Sequence, residues 1–262
     1  MTPAGQSEPK VTSQPAAKKI EAVIYLSSNR PLHLPDFFSE FQKDWPLLLL
    51  EKTGKEPHRA FFRAGRSEFA LELHHTPVPH TITDPVANST LHWPAAQSAL
   101  ARHVAYIALS GSARLDSIPS MACDLTRAVA SLLPITDSLA VCWLNGPALN
   151  QAKTFLSTAH EMLATGLYPL TLWVAARWDS DSRALFTRGM GQFNAPEIVL
   201  AQQPDPAPLM VDYLFQLALS LVTSHHPIAE GETVDGPHGP LRISKGQSVQ
   251  WGNNLLVLDP AR

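Results

Sequence analysis

The stretch RALFTRGMGQFNAPEIVLA, residues 183–201, decides the fold class. Its two ends, residues 183–187 and 197–201, predict short strands, and a glycine-rich turn separates them. Two strands that follow each other without a helix between them cannot form a parallel crossover unit. Helices and strands alternate elsewhere in the chain. We therefore predict an α+β fold, a mixed β-sheet with helices packed against it, rather than a doubly wound parallel sheet.

The remaining elements are predicted from hydrophobic periodicity. Apolar or alternating runs predict strands at residues 20–27, 69–73, 104–109, 140–144 and 170–175. Apolar stripes at three- and four-residue spacing predict helices at residues 35–45, 121–133, 155–163 and 210–221, and a short helix after Trp93-Pro94. Residues 76–94 hold four prolines and predict one long loop, which is a length more typical of functional segments than of ordinary connections.

Domain organisation follows from length and composition. Residues 1–19 contain three prolines and no apolar run, so they predict a flexible tail. Residues 20–262 are enough to bury a large core, and we expect a single α+β domain. An internal division near residue 134, where a proline ends a helix, would leave two halves of similar element order.

Charge and cysteine content exclude several classes of protein. The chain of 262 residues has 20 basic and 23 acidic side chains, a net charge of −3, which argues against a nucleic-acid partner. No apolar run is long enough to span a membrane, so we expect no membrane partner. Cys123 and Cys142 are too few for a disulfide framework, and they predict buried thiols in a reducing cytoplasm.

Catalytic and metal-binding motifs are incomplete. His160-Glu161 begins a helical zinc motif, but Ala164 stands where the second histidine ligand belongs. Residues 189–194 lack the third glycine of a dinucleotide-binding loop, and the chain has neither a nucleophile elbow nor a phosphate-binding loop. We expect no catalytic residue, no metal and no cofactor, although an enzyme of unfamiliar type stays open.

The segment 185–197 carries a more specific pattern, T-x-G-[LM]-x-x-F-x-x-x-E. It resembles the signature of a bacterial family known as domain of unknown function 4261. Further features of that family occur in the same order along most of the chain: Pro77-Val78-Pro79, Trp93-Pro94, His103 before an apolar strand, Leu172-Trp173-Val174 and Glu230-Gly231-Glu232-Thr233. Asn194 stands where a second glycine is common, and Glu230 and Glu232 stand where aspartates are common. Asn tolerates a left-handed backbone conformation, so Asn194 in place of the second glycine is compatible with the turn.

Two interpretations of this segment remain open. As a structural corner, Gly189 and Gly191 would allow the turn, Phe193 would anchor it, and Glu197 would accept hydrogen bonds from backbone amides or pair with Arg188. As a site, its polar side chains would face a ligand. The candidate binding residues of the whole chain are therefore Trp93, His103, Thr187, Arg188, Phe193 and Glu197.

Three functions compete. The leading hypothesis is a cytoplasmic, non-catalytic protein that binds another protein, in particular an immunity protein that neutralises an antibacterial toxin. It is based on the incomplete motifs, the proline-rich loop and six tryptophans, a residue type that often anchors interfaces. The alternative is a small-molecule-binding domain or enzyme with a site near Trp93, His103, Arg188 and Glu197, in which His103 would shuttle protons. A structural subunit of a larger assembly is the third, and no oligomeric state follows from the sequence.

Overall fold

The computed structural model describes residues 18–56, 59–113, 118–224, 229–248 and 252–261. Over these ranges the chain forms thirteen strands and seven α-helices. Residues 1–17 of the predicted tail, which was placed at residues 1–19, lie outside the described residues. Its last two residues, Lys18 and Lys19, belong to the first strand instead.

The first sheet is antiparallel throughout and has seven strands in the order β2-β3-β4-β5-β1-β6-β7. Its strands are β1 (Lys18–Leu26), β2 (Leu50–Glu56), β3 (Arg59–Ala64), β4 (Ser67–His74), β5 (Ala105–Ala113), β6 (Ser138–Trp143) and β7 (Ala148–Gln151). The strand predicted at residues 20–27 is the interior strand β1, whose side chains from Ala22 to Leu26 are all buried.

The second sheet has six strands in the order β11-β12-β13-β10-β9-β8. Its strands are β8 (Ala175–Asp179), β9 (Ala184–Arg188), β10 (Glu197–Leu200), β11 (Thr233–Gly236), β12 (Gly239–Ser248) and β13 (Gly252–Pro260). β10 pairs in parallel with β13 and antiparallel with β9, so this sheet is mixed. The predicted α+β class is confirmed.

Helices cover the two sheets unequally. They are α1 (Leu34–Asp44), α2 (His80–Asn88), α3 (Ala96–Leu100), α4 (Ile118–Leu132), α5 (Ala152–Ala164), α6 (Leu170–Trp173) and α7 (Pro208–Thr223). The helices α1, α4 and α5 pack on one face of the first sheet, and α7 packs on the second sheet. The other face of the first sheet is covered at β1, β6 and β7 by α2 and α3.

One hydrophobic core runs through both sheets. It joins Ile24 and Val141 of the first sheet to Ile198 and Leu258 of the second through Trp173 of α6, all essentially inaccessible to solvent. The predicted division near residue 134 does not fall between the sheets, because β6 and β7 still belong to the first. The two sheets also differ in strand number and order, so their topologies are not copies of each other.

The strand predicted at residues 170–175 is wrong. Residues Leu170–Trp173 form the short helix α6 after Pro169, and the strand β8 begins only at Ala175. Leu170, Leu172 and Trp173 are all buried. When every side chain of a run is apolar, the sequence shows no hydrophobic periodicity, and periodicity therefore cannot distinguish a buried strand from a buried helix.

The long loop predicted at residues 76–94 is also wrong, because it contains the helix α2. Pro77 and Pro79 precede this helix and Pro94 follows it, so only Pro85 lies inside. Pro85 removes one backbone hydrogen bond from a nine-residue helix that has no side-chain N-cap. The number of prolines was misleading because their positions decide whether a helix can form.

The predicted state of the cysteines is confirmed. Cys123 and Cys142 are both buried and unpaired. Burial raises the pKa of each thiol to about 12, which leaves both protonated and unreactive at neutral pH. Among the helices of the described residues, none has the length and apolar character needed to cross a lipid bilayer.

Candidate functional site

A cleft of about 710 Å³ opens where the edges of the two sheets meet. Three segments form its walls: the C-terminal end of α2 with Ser89, the β6–β7 turn with Asn145 and Pro147, and the strands β8 and β9 with the corner that follows them. We call it the junction cleft. It lies between the proline-rich segment and the 187–197 segment, and of the four residues named in the alternative hypothesis it includes Arg188 and Glu197.

Two glycines allow the sheets to meet this closely. A Cβ atom on Gly146 would lie 1.9 Å from the carbonyl oxygen of Trp173, and one on Gly189 would lie 2.3 Å from the Cα atom of Gly146. Gly189 also has φ of +115°, a conformation that side chains rarely tolerate. The Gly146 carbonyl accepts a hydrogen bond of 3.1 Å from the Ala175 amide at the start of β8. Both positions therefore require glycine.

Gln192 ties the corner to the core beneath it. Its Oε1 accepts a hydrogen bond of 2.9 Å from Trp143 Nε1. Its Nε2 donates to the carbonyl oxygens of Trp173 at 3.1 Å and Gly189 at 2.8 Å. One side chain thus satisfies three polar groups from β6, α6 and the corner, and sequence reasoning had not singled it out.

Glu197 closes the corner on itself. Its Oε1 accepts a hydrogen bond of 2.9 Å from the Gly189 amide, and its Oε2 accepts one of 2.8 Å from Thr187 Oγ1. Thr187 is fully buried, and its hydroxyl oxygen also accepts a bond of 2.8 Å from the Ile198 amide. Asn194 adopts the left-handed conformation with φ of 58°. The bond from the Gly189 amide to Glu197 is of the kind that the corner interpretation describes.

The other candidates of the segment lie beside this network. Phe193 is partly buried and packs on the ring of Trp173 at 5.7 Å between centroids. Arg188 lines the junction cleft, with its guanidinium carbon 5.7 Å from the centroid of the Phe186 ring. Thr187, Arg188, Phe193 and Glu197 therefore meet at one corner.

Trp93 and His103 do not reach the junction cleft. Trp93 packs against the apolar cluster between the first sheet and the helices α2 and α3. His103 is 6% exposed, its Nε2 accepts a hydrogen bond of 2.8 Å from the Val78 amide, and its Nδ1 contacts the Leu100 carbonyl. An Nε2 that accepts and an Nδ1 that donates define a neutral imidazole with both nitrogens engaged. His103 holds the segment before α2 in place.

Arg177 on β8 is the cleft residue that sequence reasoning missed. Only 8% of it is exposed, and its Nη1 and Nη2 donate to the carbonyl oxygens of Ser89 and Pro147, both at 2.7 Å. Burial lowers the pKa of this guanidinium to about 10, and the nearby charge of Arg188 acts in the same direction. In the described ranges no carboxylate contacts it. Its one signal in the sequence is a basic residue inside the apolar run 170–178.

Most polar side chains of the junction cleft support its walls. Glu197, Gln192 and Asn145 use their polar atoms to support the walls, Asn145 by accepting from the Glu21 amide at 2.8 Å. None of the residues described along its walls is a histidine or a cysteine. The described part of the chain contains no group of three or more potential metal ligands. The charges that face the cleft are mainly those of two arginines.

Comparisons of this chain with models of known protein families, with curated proteins and with solved structures give no match in any of the three.

Proposed function

We propose that this chain is a non-catalytic binding protein that captures another protein at the junction cleft. The observation that carries this proposal is the preformed cleft itself, whose walls come from both sheets and whose side chains are already hydrogen-bonded in place. Walls that are ordered before binding reduce the entropy lost on association.

The chemistry of the walls supports binding over catalysis. A general acid or base must reach a substrate proton, and the carboxylate of Glu197 instead accepts two hydrogen bonds from its own corner. The buried charge of Arg177 and the apolar side chains of Trp178 and Phe186 in the lining suit a polar group attached to an apolar body. The alternative proton shuttle, His103, lies in another part of the fold.

The identity of the partner follows from the sequence hypothesis alone. A cytoplasmic immunity protein that neutralises an antibacterial toxin remains our proposal for the physiological role, and the resemblance to domain of unknown function 4261 supports a bacterial origin. No nucleic-acid partner is proposed, because the chain has a net charge of −3.

Small-molecule binding is the second candidate. The volume of the junction cleft, about 710 Å³, lies within the roughly 300–1,000 Å³ typical of small-molecule sites. In that case a small molecule would bind to the same walls of the junction cleft, and the function would require no partner protein.

A pair of tryptophan variants tests the proposal. Gly191 lines the junction cleft, and a side chain added there meets open space, so Gly191→Trp should fill the cleft without disturbing the fold. Gln216→Trp, on the exposed face of α7, is the matched control. The unmodified protein and the control should capture the product of a neighbouring gene and rescue growth if that product is toxic, whereas Gly191→Trp should do neither. Equal capture of the protein by both variants would show that the junction cleft is not part of the interface.

A further inference from the structure

We propose that a groove beside the edge strand β2 binds a segment of another protein in which two acidic residues adjoin apolar residues. The groove has a volume of about 450 Å³ and lies between the strands β2, β3 and β4 and the segment 31–35 that leads into α1. We call it the basic groove. Among the described residues it shares none of its lining with the junction cleft, so this surface is additional to the proposed function and does not depend on it.

A bulge in β2 places two lysines on the same face of the first sheet. Lys52 stands opposite Phe62 of β3, and after a register shift at Thr53, Lys55 stands opposite Ala60. In a regular strand, residues three positions apart point to opposite faces, and the extra residue of a bulge reverses that outcome. Phe62 and Ala60 are both buried on the helix-covered face. Both lysines are exposed, share that face at the sheet edge and line the basic groove.

The charges of β2 are matched on one face and unmatched on the other. The two glutamates of the strand stand opposite arginines: Glu51 opposite Arg63, and Glu56 opposite Arg59. Lys52 and Lys55 stand opposite apolar side chains instead, and among the described residues neither lysine forms an ion pair.

The third cation of the basic groove is already paired. Arg59 Nε donates a hydrogen bond of 2.9 Å to Glu72 Oε2 on β4. Lys52 and Lys55 are therefore the positive charges that an acidic ligand would meet, although the chain as a whole has a net charge of −3.

Apolar side chains form the rest of the basic groove. Leu71 is buried, whereas Leu32 and Leu73 are only partly buried and keep some apolar surface accessible. Leu32 and Leu73 also line a smaller pocket of about 200 Å³ that continues the groove away from β2. The charged residues of that pocket, Arg30 and Asp137, lie 3.5 Å apart as an ion pair. The surface is therefore basic at β2 and apolar beyond it, which matches a segment with acidic residues at one end and apolar residues at the other.

The wall formed by the segment 31–35 is held in place. The side chain of His75 at the end of β4 contacts that of Asn29, and His33 Nδ1 lies 2.9 Å from Asp36 Oδ1 in the first turn of α1. Pro35 fixes the backbone at the start of the helix. A wall that is ordered before binding reduces the entropy lost on association.

Protection of the sheet edge is the other role that lysines on an edge strand can have. Edge protection requires charge on the strand, but it requires neither a shared face nor apolar side chains beside the charge. The bulge at Thr53 and the accessible leucines are accounted for by a bound acidic and apolar segment.

Three peptides test the chemistry of the partner. The probe is fluorescein-labelled Glu-Glu-Leu-Pro-Leu-amide, the Gln-Gln analogue is its neutral match, and the Lys-Lys analogue has the opposite charge. Fluorescence anisotropy with the full chain at low salt should show the acidic peptide binding about fivefold tighter than the neutral one, because exposed ion pairs contribute little each. High salt should reduce this difference. Equal binding of the acidic and neutral peptides, or no binding of either, would overturn the inference and leave the lysines with edge protection alone.

Charge reversal separates loss of the site from loss of the fold. The double variant Lys52→Glu, Lys55→Glu should prefer the Lys-Lys peptide, a gain that an unfolded chain cannot show. Lys245→Glu, at an exposed position of β12 in the second sheet, is the matched control and should keep the preference for the acidic peptide. A double variant that still prefers the acidic peptide contradicts the inference.

A single substitution decides the outcome if the double variant does not fold. Lys55→Gln removes one of the two charges and should weaken the acidic peptide about twofold at low salt, while the neutral peptide keeps its affinity. Unchanged affinity for the acidic peptide in Lys55→Gln contradicts the inference.

Other occupants of the basic groove give different results. Decanoate that binds more tightly than the acidic peptide would assign the groove to a fatty acid, and a dimer that dissociates in the double variant would assign it to a second copy of the chain. Either result overturns the inference. Gly191→Trp, which fills the junction cleft, should bind the acidic peptide as the unmodified chain does. Loss of peptide binding in Gly191→Trp would place the peptide in the junction cleft and overturn the inference without affecting the proposed function.

Discussion

The two walls of the junction cleft are held in different ways. On the corner wall, Thr187, Gly189, Gln192 and Glu197 bond to one another and to the core beneath them. On the α2 wall, the helix is attached by side chains from elsewhere, through the contact of Arg177 with Ser89 and of His103 with the Val78 amide. The first wall is built from its own sequence, whereas the second depends on residues distant in the chain.

The polar groups beneath the α2 wall show the same difference. The buried hydroxyl groups of Tyr25 and Thr83 face each other but form no well-formed hydrogen bond among the described residues. A buried polar group without a partner costs about 1–3 kcal/mol of stability. α2 is also short and interrupted by Pro85. We therefore expect the corner wall to be rigid and the α2 wall to open locally more often.

Gly146→Ala should have the largest effect, because it forces the two sheets apart. The added Cβ would lie 1.9 Å from a backbone carbonyl oxygen, which has no freedom to move away. We expect a loss of at least about 3 kcal/mol in the free energy of unfolding by urea, the upper end of the cost of overpacking. Gly191→Ala is the control, since its Cβ meets open space. Equal stability of the two variants would mean that the sheets are not in close contact at this point.

Gln192→Leu should weaken the corner wall by about 2 kcal/mol. It leaves the Trp143 indole N–H and the Trp173 carbonyl without their hydrogen-bond partner, whereas the Gly189 carbonyl keeps its bond from the Gln192 backbone amide. Urea unfolding followed by tryptophan fluorescence measures the loss. Gln216→Leu, at an exposed position of α7, should change stability by less than about 0.5 kcal/mol. A corner wall that keeps its full stability in Gln192→Leu would contradict the hydrogen-bonded description.

His103→Phe should loosen the α2 wall alone. The buried Val78 amide loses its acceptor, and we expect a cost of about 1–2 kcal/mol. Amide hydrogen exchange should quicken in α2 and in the residues just before it, while the amides of Gly189 and Ile198 keep their rates. Faster exchange at both walls would show that they open as one unit and would remove the distinction.

The titration of a single thiol at alkaline pH should produce the smallest effect. Folding raises the pKa of Cys123 and Cys142 to about 12, so the unfolded chain loses these two protons at lower pH than the folded chain does. Stability therefore falls as pH rises above about 9, by about 1 kcal/mol for each thiol at pH 10.

The variant Cys142→Ala isolates one of these thiols. Cys142 packs beneath α2 and α3, and its removal should reduce the fall in stability between pH 8 and 10 by about half. The ratio of the two pH slopes is the readout, because the cavity left by the smaller side chain shifts both ends of the curve equally. An unchanged slope would mean that Cys142 does not titrate on unfolding in this range.

Prediction from the sequence succeeded where the structure is local. The corner interpretation, one of the two left open for residues 187–197, describes the turn, the left-handed Gly189 and the bond from a backbone amide to Glu197, because glycine, Asn194 and a carboxylate near free amides carry local signals. Gly191 needs no special conformation, since it has no positive φ and its Cβ position is open. Six of the thirteen strands, β1, β4, β5, β6, β9 and β10, and most helices also followed from hydrophobic periodicity.

Prediction failed where distant residues decide the outcome. The fold of α2 depends on its packing against the first sheet, which compensates for Pro85. The requirement for glycine at position 146 arises from α6, and the bonds of Arg177 come from two segments remote in sequence. His103 looked like a proton shuttle because a histidine that supports a backbone amide has the same sequence signal.

Amide hydrogen exchange of the free protein tests the central claim most directly: the junction cleft has a rigid corner wall and a less stable α2 wall. The account expects the amides of Gly189 and Ile198 to exchange slowly and the amides of α2 to exchange faster. Exchange in α2 as slow as at Gly189 and Ile198 would contradict it.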